Sequence, residues 1–333
     1  MAGPTVSAGY ARALLDYAVS RGADREALLG RSRIAAVQLL DQDNRVPMAG
    51  YMALMRAARD LCEAPALGLE FGASTRFDDF SIVGLICRSA GTMGQALQHL
   101  NRYRRLIAEV DLQADGERFA IVPREDGLWL EDRRADPDAF PELTEETFAR
   151  FVSEVARSFP DASFVLAVEV THKKPAHAAD YARILKAPVI FDSGRNAMRI
   201  DPSWLSLRTT GANEYVFGVF NERAEALLKR LKESTTLRGR VETLLLPRLH
   251  LGEADMAAMA RSLNMSRQTL YRRLKAEGTS FDRVLDDLRR ETALSYLESQ
   301  RLSVNETAYL VGFSDRSAFS RAFKRWTGHS PRR

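Results

Sequence analysis

Ser266-Arg-Gln-Thr-Leu-Tyr-Arg-Arg-Leu274 and, 49 residues later, Asp315-Arg-Ser-Ala-Phe-Ser-Arg-Ala-Phe323 carry one helical pattern written twice. Apolar residues recur at matching positions: Leu270 aligns with Phe319, and Leu274 with Phe323. Polar residues at i, i+3, i+4 and i+7 share the other helix face, and they are Gln268, Tyr271, Arg272 and Lys275 in the first copy and Ser317, Ser320, Arg321 and Lys324 in the second. Two short helices with such polar, cationic faces are what a protein needs to read the major groove of DNA at two places.

Each copy follows a shorter helical segment and a tight turn, so the sequence predicts two helix-turn-helix motifs. Before the first copy, Asn264 tolerates the left-handed conformation of a turn, and Ser266 can cap the next helix. Before the second copy, Ser303-Val-Asn-Glu306 has the pattern of a capping box. Gly312 then suits the turn, and either Asp315 or Ser314 suits the next cap.

The segment between the two motifs predicts one long helix. Ser280 is a candidate cap, and apolar residues at helical spacing continue to about Gln300. About twenty residues at roughly 1.5 Å each give a rod of about 30 Å, close to the ~34 Å of one turn of B-DNA. A helix of this length would set two reading helices into successive major grooves.

The positive charge of the chain is concentrated in the same region. The 333 residues include 48 Lys and Arg against 44 Asp and Glu, a net charge of +4. Residues 252–333 alone carry 15 Lys and Arg against 10 Asp and Glu, so the remainder is close to neutral. Because positive charge lies on the two repeated helices, the interpretation that this region faces the phosphates of DNA is favoured.

This region resembles the DNA-binding domain of the AraC/XylS family of bacterial transcription regulators. The segments that carry the resemblance are Met259-Ala260, Met265-Ser266, Leu270-Tyr-Arg-Arg-Leu274, Thr307-Ala308, Val311-Gly-Phe-Ser-Asp315, Phe319-Ser-Arg-Ala-Phe-Lys324, Gly328 and Pro331. The resemblance implies that double-stranded DNA is a partner and that the second helix of each motif enters the major groove. The residues that it implies contact DNA are Ser266, Arg267, Gln268, Thr269, Tyr271, Arg272 and Lys275 in the first motif and Ser314, Arg316, Ser317, Ser320, Arg321 and Lys324 in the second.

Side-chain chemistry divides this set into roles. Arginine and glutamine suit guanine and adenine edges respectively, so Arg267, Gln268 and Arg272 are candidates for base contacts. Lys275 and Lys324 lie one turn further along and suit phosphate. The short serines of the second helix predict fewer base contacts there. For any single residue, the alternative is a solvated helix face.

Residues 1–235 have a different pattern. Helical periodicity predicts helices over 10–19, 48–62, 81–89, 93–107, 141–159 and 178–185, and β-like alternation predicts strands over 110–112, 119–122, 127–130, 163–170, 188–191 and 197–200. We therefore expect an α+β amino-terminal domain over 1–235, a linker helix and hinge over 236–252, and an all-α DNA-binding domain over 253–333, in which a long helix joins two helix-turn-helix motifs.

The amino-terminal region resembles the arabinose-binding-like effector domain of the branch of that family that includes ornithine-utilisation and virulence regulators. The segments that carry this second resemblance are Gly68-Leu-Glu-Phe-Gly72, Phe80, Val83-Gly84-Leu85, Thr92-Met93, Ala96-Leu97, Phe191 and Asn196-Ala197-Met198. It implies a sensor or dimerisation domain, with a small-molecule effector, a homodimer and RNA polymerase as expected partners, and activation as the expected outcome. It identifies neither the effector nor the residues that bind it.

Two segments leave alternatives open. His99, Arg102, Tyr103 and Arg105 lie close together on one predicted helix, where an arginine near a pocket could hold a carboxylate, although a solvent-facing stripe is the favoured interpretation. An apolar stripe over 217–231 predicts either a dimerisation surface or packing on its own domain.

Several classes of protein are disfavoured. The sequence has no apolar run long enough for a transmembrane helix and no secretory signal pattern at its start, so we expect no membrane contact and a cytoplasmic location. Cys62 and Cys87 predict two free thiols. His172 and His177 have a poor spacing for metal ligands. No nucleophile elbow, phosphate-binding glycine loop or metal motif is present, so we expect no catalytic residues, no metal, no cofactor and no enzyme. The alternatives are a regulator controlled by a protein partner and an enzyme domain with a DNA-binding tail.

Overall fold

The computed structural model describes residues 3–114, 116–160, 164–209, 211–235, 237–252, 255–298 and 303–331. The chain divides into two compact units, Met1–Leu228 and Lys229–Arg333. Among the described helices, none is both long enough and apolar enough to cross a membrane. The domain limits predicted from the sequence, at 235 and 252, stay a prediction.

The described helices of the first unit include the six predicted ones, two further short helices and a long helix that carries the apolar stripe at 217–231. Their bounds are α1 Ala8–Ser20, α2 Arg25–Ser32, α3 Met48–Leu61, α4 Leu67–Ser74, α5 Ile82–Ser89, α6 Met93–Ile107, α7 Glu142–Ser158, α8 Ala178–Leu185 and α9 Glu214–Thr235, the last of which runs into the second unit. Short 3-10 turns occur at Ala36–Leu39, Phe77–Asp79, Pro137–Ala139 and Pro202–Ser206.

Helix α4 is a helix that periodicity did not predict, because apolar residues occur on all of its sides. Leu67, Leu69 and Phe71 are each fully buried. Gly72 lets the helix approach α7 closely, since a Cβ atom there would lie 2.2 Å from the backbone oxygen of Glu146. A helix that is apolar all round is a buried helix and shows no amphipathic period.

The strands of the first unit form a two-stranded and a five-stranded sheet. Their bounds are β1 Thr5–Ser7, β2 Arg45–Pro47, β3 Phe119–Arg124, β4 Gly127–Asp132, β5 Val165–Glu169, β6 Val189–Ile190 and β7 Asn196–Ile200. The larger sheet has the order β3-β4-β7-β5-β6, with only β5 and β6 parallel. The strand predicted over 110–112 is wrong, because only an isolated bridge from Leu112 to Arg134 forms there. Ser163, in the strand predicted over 163–170, lies outside the described residues.

The second unit is all helical and has two hydrophobic cores. Its helices are α10 Leu237–Leu245, α11 Met256–Ser262, α12 Arg267–Ala276, α13 Phe281–Glu298, α14 Val304–Leu310 and α15 Arg316–Thr327, with a 3-10 helix at Leu246–Leu251. Helix α13 contributes Phe281 and Val284 to the core of the first motif, and Ala293 and Leu297 to the core of the second. The predicted fold class, an α+β domain followed by two helix-turn-helix motifs joined by a long helix, is confirmed.

The segment 237–251 is built into both cores of this unit. Leu237, Val241 and Leu245 pack beside α12, in the core around Leu270 and Leu274. Leu249 packs in the second core. Gly312 adopts a left-handed φ of 80°, and a Cβ atom there would lie 2.2 Å from the backbone oxygen of Leu249. In the structure, therefore, α10 packs in the core of the first motif, and the 3-10 helix that follows it packs in the core of the second.

Candidate nucleic-acid interface

Helix α12 is the second helix of the first motif, and local signals set its start. Asn264 adopts a left-handed φ of 54° in the turn, as its side chain permits. The Ser266 hydroxyl accepts the backbone N–H of Thr269 at 3.1 Å and lies 2.9 Å from the Thr269 hydroxyl. Leu270 and Leu274 are completely buried. Burial of these two leucines fixes which face of α12 points outward.

The outward face of α12 holds most of the candidate residues of the first motif. Arg267, Gln268, Arg272 and Lys275 are exposed, and Tyr271 is 54% exposed. Thr269 is half-buried, and it shares a hydrogen bond with Ser266, which is itself occupied by capping. The cap residues thus position the helix, while the four polar side chains and Tyr271 remain accessible.

Helix α15 repeats the arrangement in the second motif. The Asp315 carboxylate accepts the Ala318 backbone N–H at 2.8 Å and caps the helix. Phe319 and Phe323 are buried, and Trp326 is half-buried against the same core. The candidate residues outside this core are Ser314, Arg316, Ser317, Arg321 and Lys324, all exposed, and Ser320, which is half-buried.

The exposed candidate cations lack a carboxylate partner among the described residues, whereas some other arginines of the unit have one. Along the described residues, no carboxylate forms an ion pair with the exposed candidates Arg267, Arg272, Lys275, Arg316, Arg321 and Lys324. By contrast, Arg325 pairs with Asp286 at 2.8 Å, and Arg238 pairs with Glu242 at 2.8 Å. Seven exposed cations of these two helices, the six candidates and Arg273, therefore have no carboxylate partner among the described residues. Such cations are available to phosphate oxygens and to base edges.

One contact to α12 was not predicted from the sequence. The Glu277 carboxylate accepts the backbone N–H groups of Leu237 at 2.8 Å and Arg238 at 3.0 Å, so it caps α10. Arg238 also pairs with Asp287 of α13 at 3.1 Å. No local signal reveals the Glu277 contact, because its two partners lie 40 and 39 residues earlier in the chain.

The four residues on α6 that were considered for an effector make contacts within the first unit instead. The Tyr103 hydroxyl, with one proton to donate, lies 2.7 Å from Asn221 Oδ1 and 2.5 Å from Glu225 Oε1. Arg102 also pairs with Glu225, and Arg105 with Glu109. The His99 ring packs on Phe217 at 4.8 Å between centroids. The contacts of His99, Arg102 and Tyr103 hold α9 against α6. The contact of Arg105 joins α6 to the chain that follows it.

The apolar stripe on α9 packs on its own domain where it lies in the first unit. Ala224 and Leu228 are buried in the core between the sheet and the helices, and Phe217 and Phe220 pack against it. Packing on its own domain therefore accounts for these residues, and a dimerisation role of the stripe stays a prediction.

Comparisons with known proteins agree with both units. Residues 22–209 match the model of the arabinose-binding amino-terminal domain of AraC transcription regulators, and residues 259–333 match a helix-turn-helix domain model. The chain is 31% identical to the ornithine utilization regulator of Pseudomonas aeruginosa, over 98% of this chain and 95% of that protein. It is 25% identical to the regulator VirS of Mycobacterium tuberculosis, over 93% and 90%. A crystal structure of the regulator CdpR from Pseudomonas aeruginosa aligns with 25% identity over 92% of this chain and 94% of that chain, with a TM-score of 0.39.

The chain belongs to the AraC family of DNA-binding transcription regulators and has an arabinose-binding-like amino-terminal domain.

Proposed function

We propose that this protein activates transcription from specific promoters in the cytoplasm when a small molecule binds its amino-terminal domain. The observation that carries the proposal is the set of six exposed candidate cations on α12 and α15 that have no carboxylate partner among the described residues. A surface of this kind attracts the phosphate backbone without regard to sequence. Specificity then requires side chains that reach base edges.

The two helices differ in what they offer to a base. Helix α12 presents Arg267, Gln268, Tyr271 and Arg272, of which the arginines and the glutamine can form two hydrogen bonds with one base. Helix α15 presents Arg316, Ser317, Ser320 and Arg321, in which the two residues between the arginines are serines with short side chains. We assign most base reading to α12, and we assign Lys275 and Lys324 to phosphate. The remaining candidates, Ser266, Thr269 and Ser314, lie at helix starts, where backbone N–H groups favour phosphate.

Effector control requires a ligand that binds two states of the protein with different affinities. A ligand that favours the DNA-binding state must, by linkage, bind more tightly when DNA is present. We further propose that the protein acts as a homodimer, recruits RNA polymerase and has no catalytic activity. The family relationship supports these proposals, since the relatives are transcription regulators.

The experiment that tests DNA binding uses the full-length protein and DNA from upstream of its own gene, with a scrambled duplex as control. Affinity is measured across a salt series. The slope of log K against log salt should lie between about −2 per protein chain, if only Lys275 and Lys324 contact phosphate, and about −5, if all six candidate cations do, at roughly −0.9 per contact. Equal affinity for the two duplexes at every salt concentration would contradict sequence-specific binding.

A further inference from the structure

Arg289 lies on α13 but contacts the turn that leads into α15. Its Nη2 donates to the backbone oxygen of Gly312 at 3.3 Å. Its guanidinium carbon lies 5.0 Å from the centroid of the Phe313 ring, which is a cation–π distance. A Cβ atom at Gly312 would lie 3.2 Å from the same Nη2 and 2.2 Å from the backbone oxygen of Leu249. Arg289 and the 3-10 helix Leu246–Leu251 therefore both close on this turn.

No carboxylate of the described residues forms an ion pair with Arg289. Asp286, one turn earlier on α13, pairs with Arg325 at 2.8 Å instead. The Arg289 Nε is buried and has no acceptor in the described part of the chain. Burial lowers the pKa of the guanidinium, although Asp286 opposes the shift. An apolar side chain of the same length would fill this space without the desolvation of a cation, so the contact with the turn is what the guanidinium supplies.

Phe313 extends this contact to α15. Its ring meets the rings of Phe319 at 5.7 Å and Trp326 at 5.9 Å between centroids, both edge to face. These two residues of α15 are seven positions apart, so Phe313 lies along about two turns of the helix. Because packed interiors have few voids, a shift of Phe313 must be accommodated by α15.

We propose that Arg289 is a positioning residue for DNA binding, which fixes the orientation of α15 relative to α13 by holding the turn at Gly312 and Phe313. Because α13 also contributes to the core that supports α12, this contact sets how the polar faces of α12 and α15 are placed relative to each other. Arg289 acts through α15 and not by a contact of its own with DNA. The inference rests on the function proposed above, since it requires that both helices read bases.

The test uses the full-length protein and a duplex that the wild type selects from a pool of random sequences. A variant in which Arg316, Ser317, Ser320 and Arg321 are all replaced by Ala identifies the bases that α15 reads, because scrambling those bases no longer weakens its binding. The other required bases are assigned to α12. For each protein, the α15 factor is the fold-loss of affinity when the first set of bases is scrambled, and the α12 factor is the fold-loss when the second set is scrambled.

Arg289→Met keeps the length of the side chain and removes its charge and its donors. In the wild type, both factors should be about fivefold or more, since one mismatched base pair typically has an effect of that size. In Arg289→Met, the α15 factor should fall below about twofold, because side chains held about 1 Å too loosely lose their selectivity. The α12 factor should stay unchanged. A loss of folded protein would lower the affinity for every duplex equally and would leave both factors as they are.

Arg290→Met is the matched control on the same helix. Arg290 is the next residue of α13 and pairs with Asp287 at 3.5 Å. Neighbouring residues of a helix point about 100° apart, so the two substitutions alter different faces of α13. Arg290→Met should keep both factors, whatever it does to the affinity overall.

The inference is overturned if Arg289→Met keeps the wild-type α15 factor, or if it lowers both factors alike. Should Arg289→Met fail to fold, Phe313→Leu decides the question, since it removes the ring between Arg289 and α15. A selective fall of the α15 factor in that variant supports the inference, and an unchanged factor overturns it. A wild type with neither factor contradicts the proposed function as well, whereas a wild type with only an α12 factor overturns this inference alone.

Discussion

The carboxylate of Glu277, at the end of α12, lies 2.8 Å from the backbone nitrogen of Leu237, at the start of α10. This contact makes the residue at the end of α12 the cap of α10, the helix that follows α9 in the sequence. Because α10 also packs its apolar face into the core of the first motif, a displacement of α10 must be accommodated by α12. A movement of α10 could therefore change the position of α12 through this contact.

Replacing Glu277 with Ala should lower the free energy of unfolding of the second unit by roughly 0.5–2 kcal/mol, the usual cost of losing a helix cap. Glu277→Gln retains an acceptor oxygen and should cost less. Urea denaturation of the full-length protein, followed at the transition of the second unit, measures both. An alanine variant as stable as the wild type would show that the cap does not form in solution.

A fragment that begins at residue 229 should fold, whereas one that begins at 253 should not. The shorter fragment lacks Leu237, Val241, Leu245 and Leu249, which are between 0% and 7% exposed in the structure. Each buried leucine or valine contributes roughly 1.5–3 kcal/mol, so their loss exceeds the stability of a small unit. Circular dichroism melts of the two fragments give the answer. Equal cooperative melts would support a linker over 236–252.

The substitution Phe319→Ala should destabilise the second unit by about 3–5 kcal/mol through a cavity in its core. Phe319 is completely buried, with ring centroids of Phe313 at 5.7 Å and Phe323 at 5.6 Å. Tyr309→Ala is the control, because Tyr309 is 64% exposed and should cost no more than about 0.5 kcal/mol. Thermal unfolding compares the two variants. Similar losses would mean that the phase of α15 is wrong.

Arg272→Ala should weaken binding to the specific DNA site by roughly 1–3 kcal/mol and change binding to a scrambled duplex much less, if Arg272 reads a base. Arg273→Ala is the matched control on the same helix. The Arg273 side chain is exposed but lies beside the apolar side of α12, off the face that carries Arg272, so its loss should change both affinities little. Gel-shift titrations on both duplexes measure the difference. An equal loss on both would identify Arg272 as a phosphate contact.

Glu146 should make the stability of the first unit depend on pH. Burial raises the pKa of its carboxyl to about 7, above the ordinary value of 4.5, although Arg150 opposes the shift. The Tyr51 hydroxyl donates to it at 2.8 Å. Because the folded state holds this proton more tightly than the unfolded chain, the stabilisation is complete below about pH 4.5 and is lost as the pH rises through about 7.

Glu146→Gln cannot titrate, so its stability relative to the wild type should rise by roughly 1–3 kcal/mol between pH 4.5 and pH 8. Thermal melts of the first unit at both pH values measure this change. Glu125→Gln, which alters an exposed carboxylate, should follow the wild type at both values. A constant difference between the Glu146 variant and the wild type would contradict the raised pKa.

The helix-turn-helix motifs could be predicted closely because their signals are local. Ser266, Asp315 and the Ser303–Glu306 pair each form the cap that their sequence indicates. Asn264 and Gly312 adopt the left-handed turns expected of them. These residues interact with neighbours three or four positions away, so the order of residues alone specifies the contact.

The parts that could not be predicted depend on distant partners. Helix α4 has no amphipathic period because it is surrounded by protein. The contact of Arg289 with Gly312 joins residues that are 23 positions apart, and only the packing of the second unit places the guanidinium on that turn. Residues 237–251 read as a linker, since nothing nearby in sequence indicates that their leucines enter cores formed about 30 to 80 residues later.

By itself, then, the sequence determined the helices α12 and α15, their caps and the polar faces that they present, because helical periodicity and capping act over one turn of the chain. The tertiary structure alone decided which arginines remain without a carboxylate partner, how Glu277 joins α12 to α10, and how Arg289 meets the turn before α15. Those features arise where segments far apart in the chain meet, and their energies come from burial and charge pairing, which no local pattern specifies.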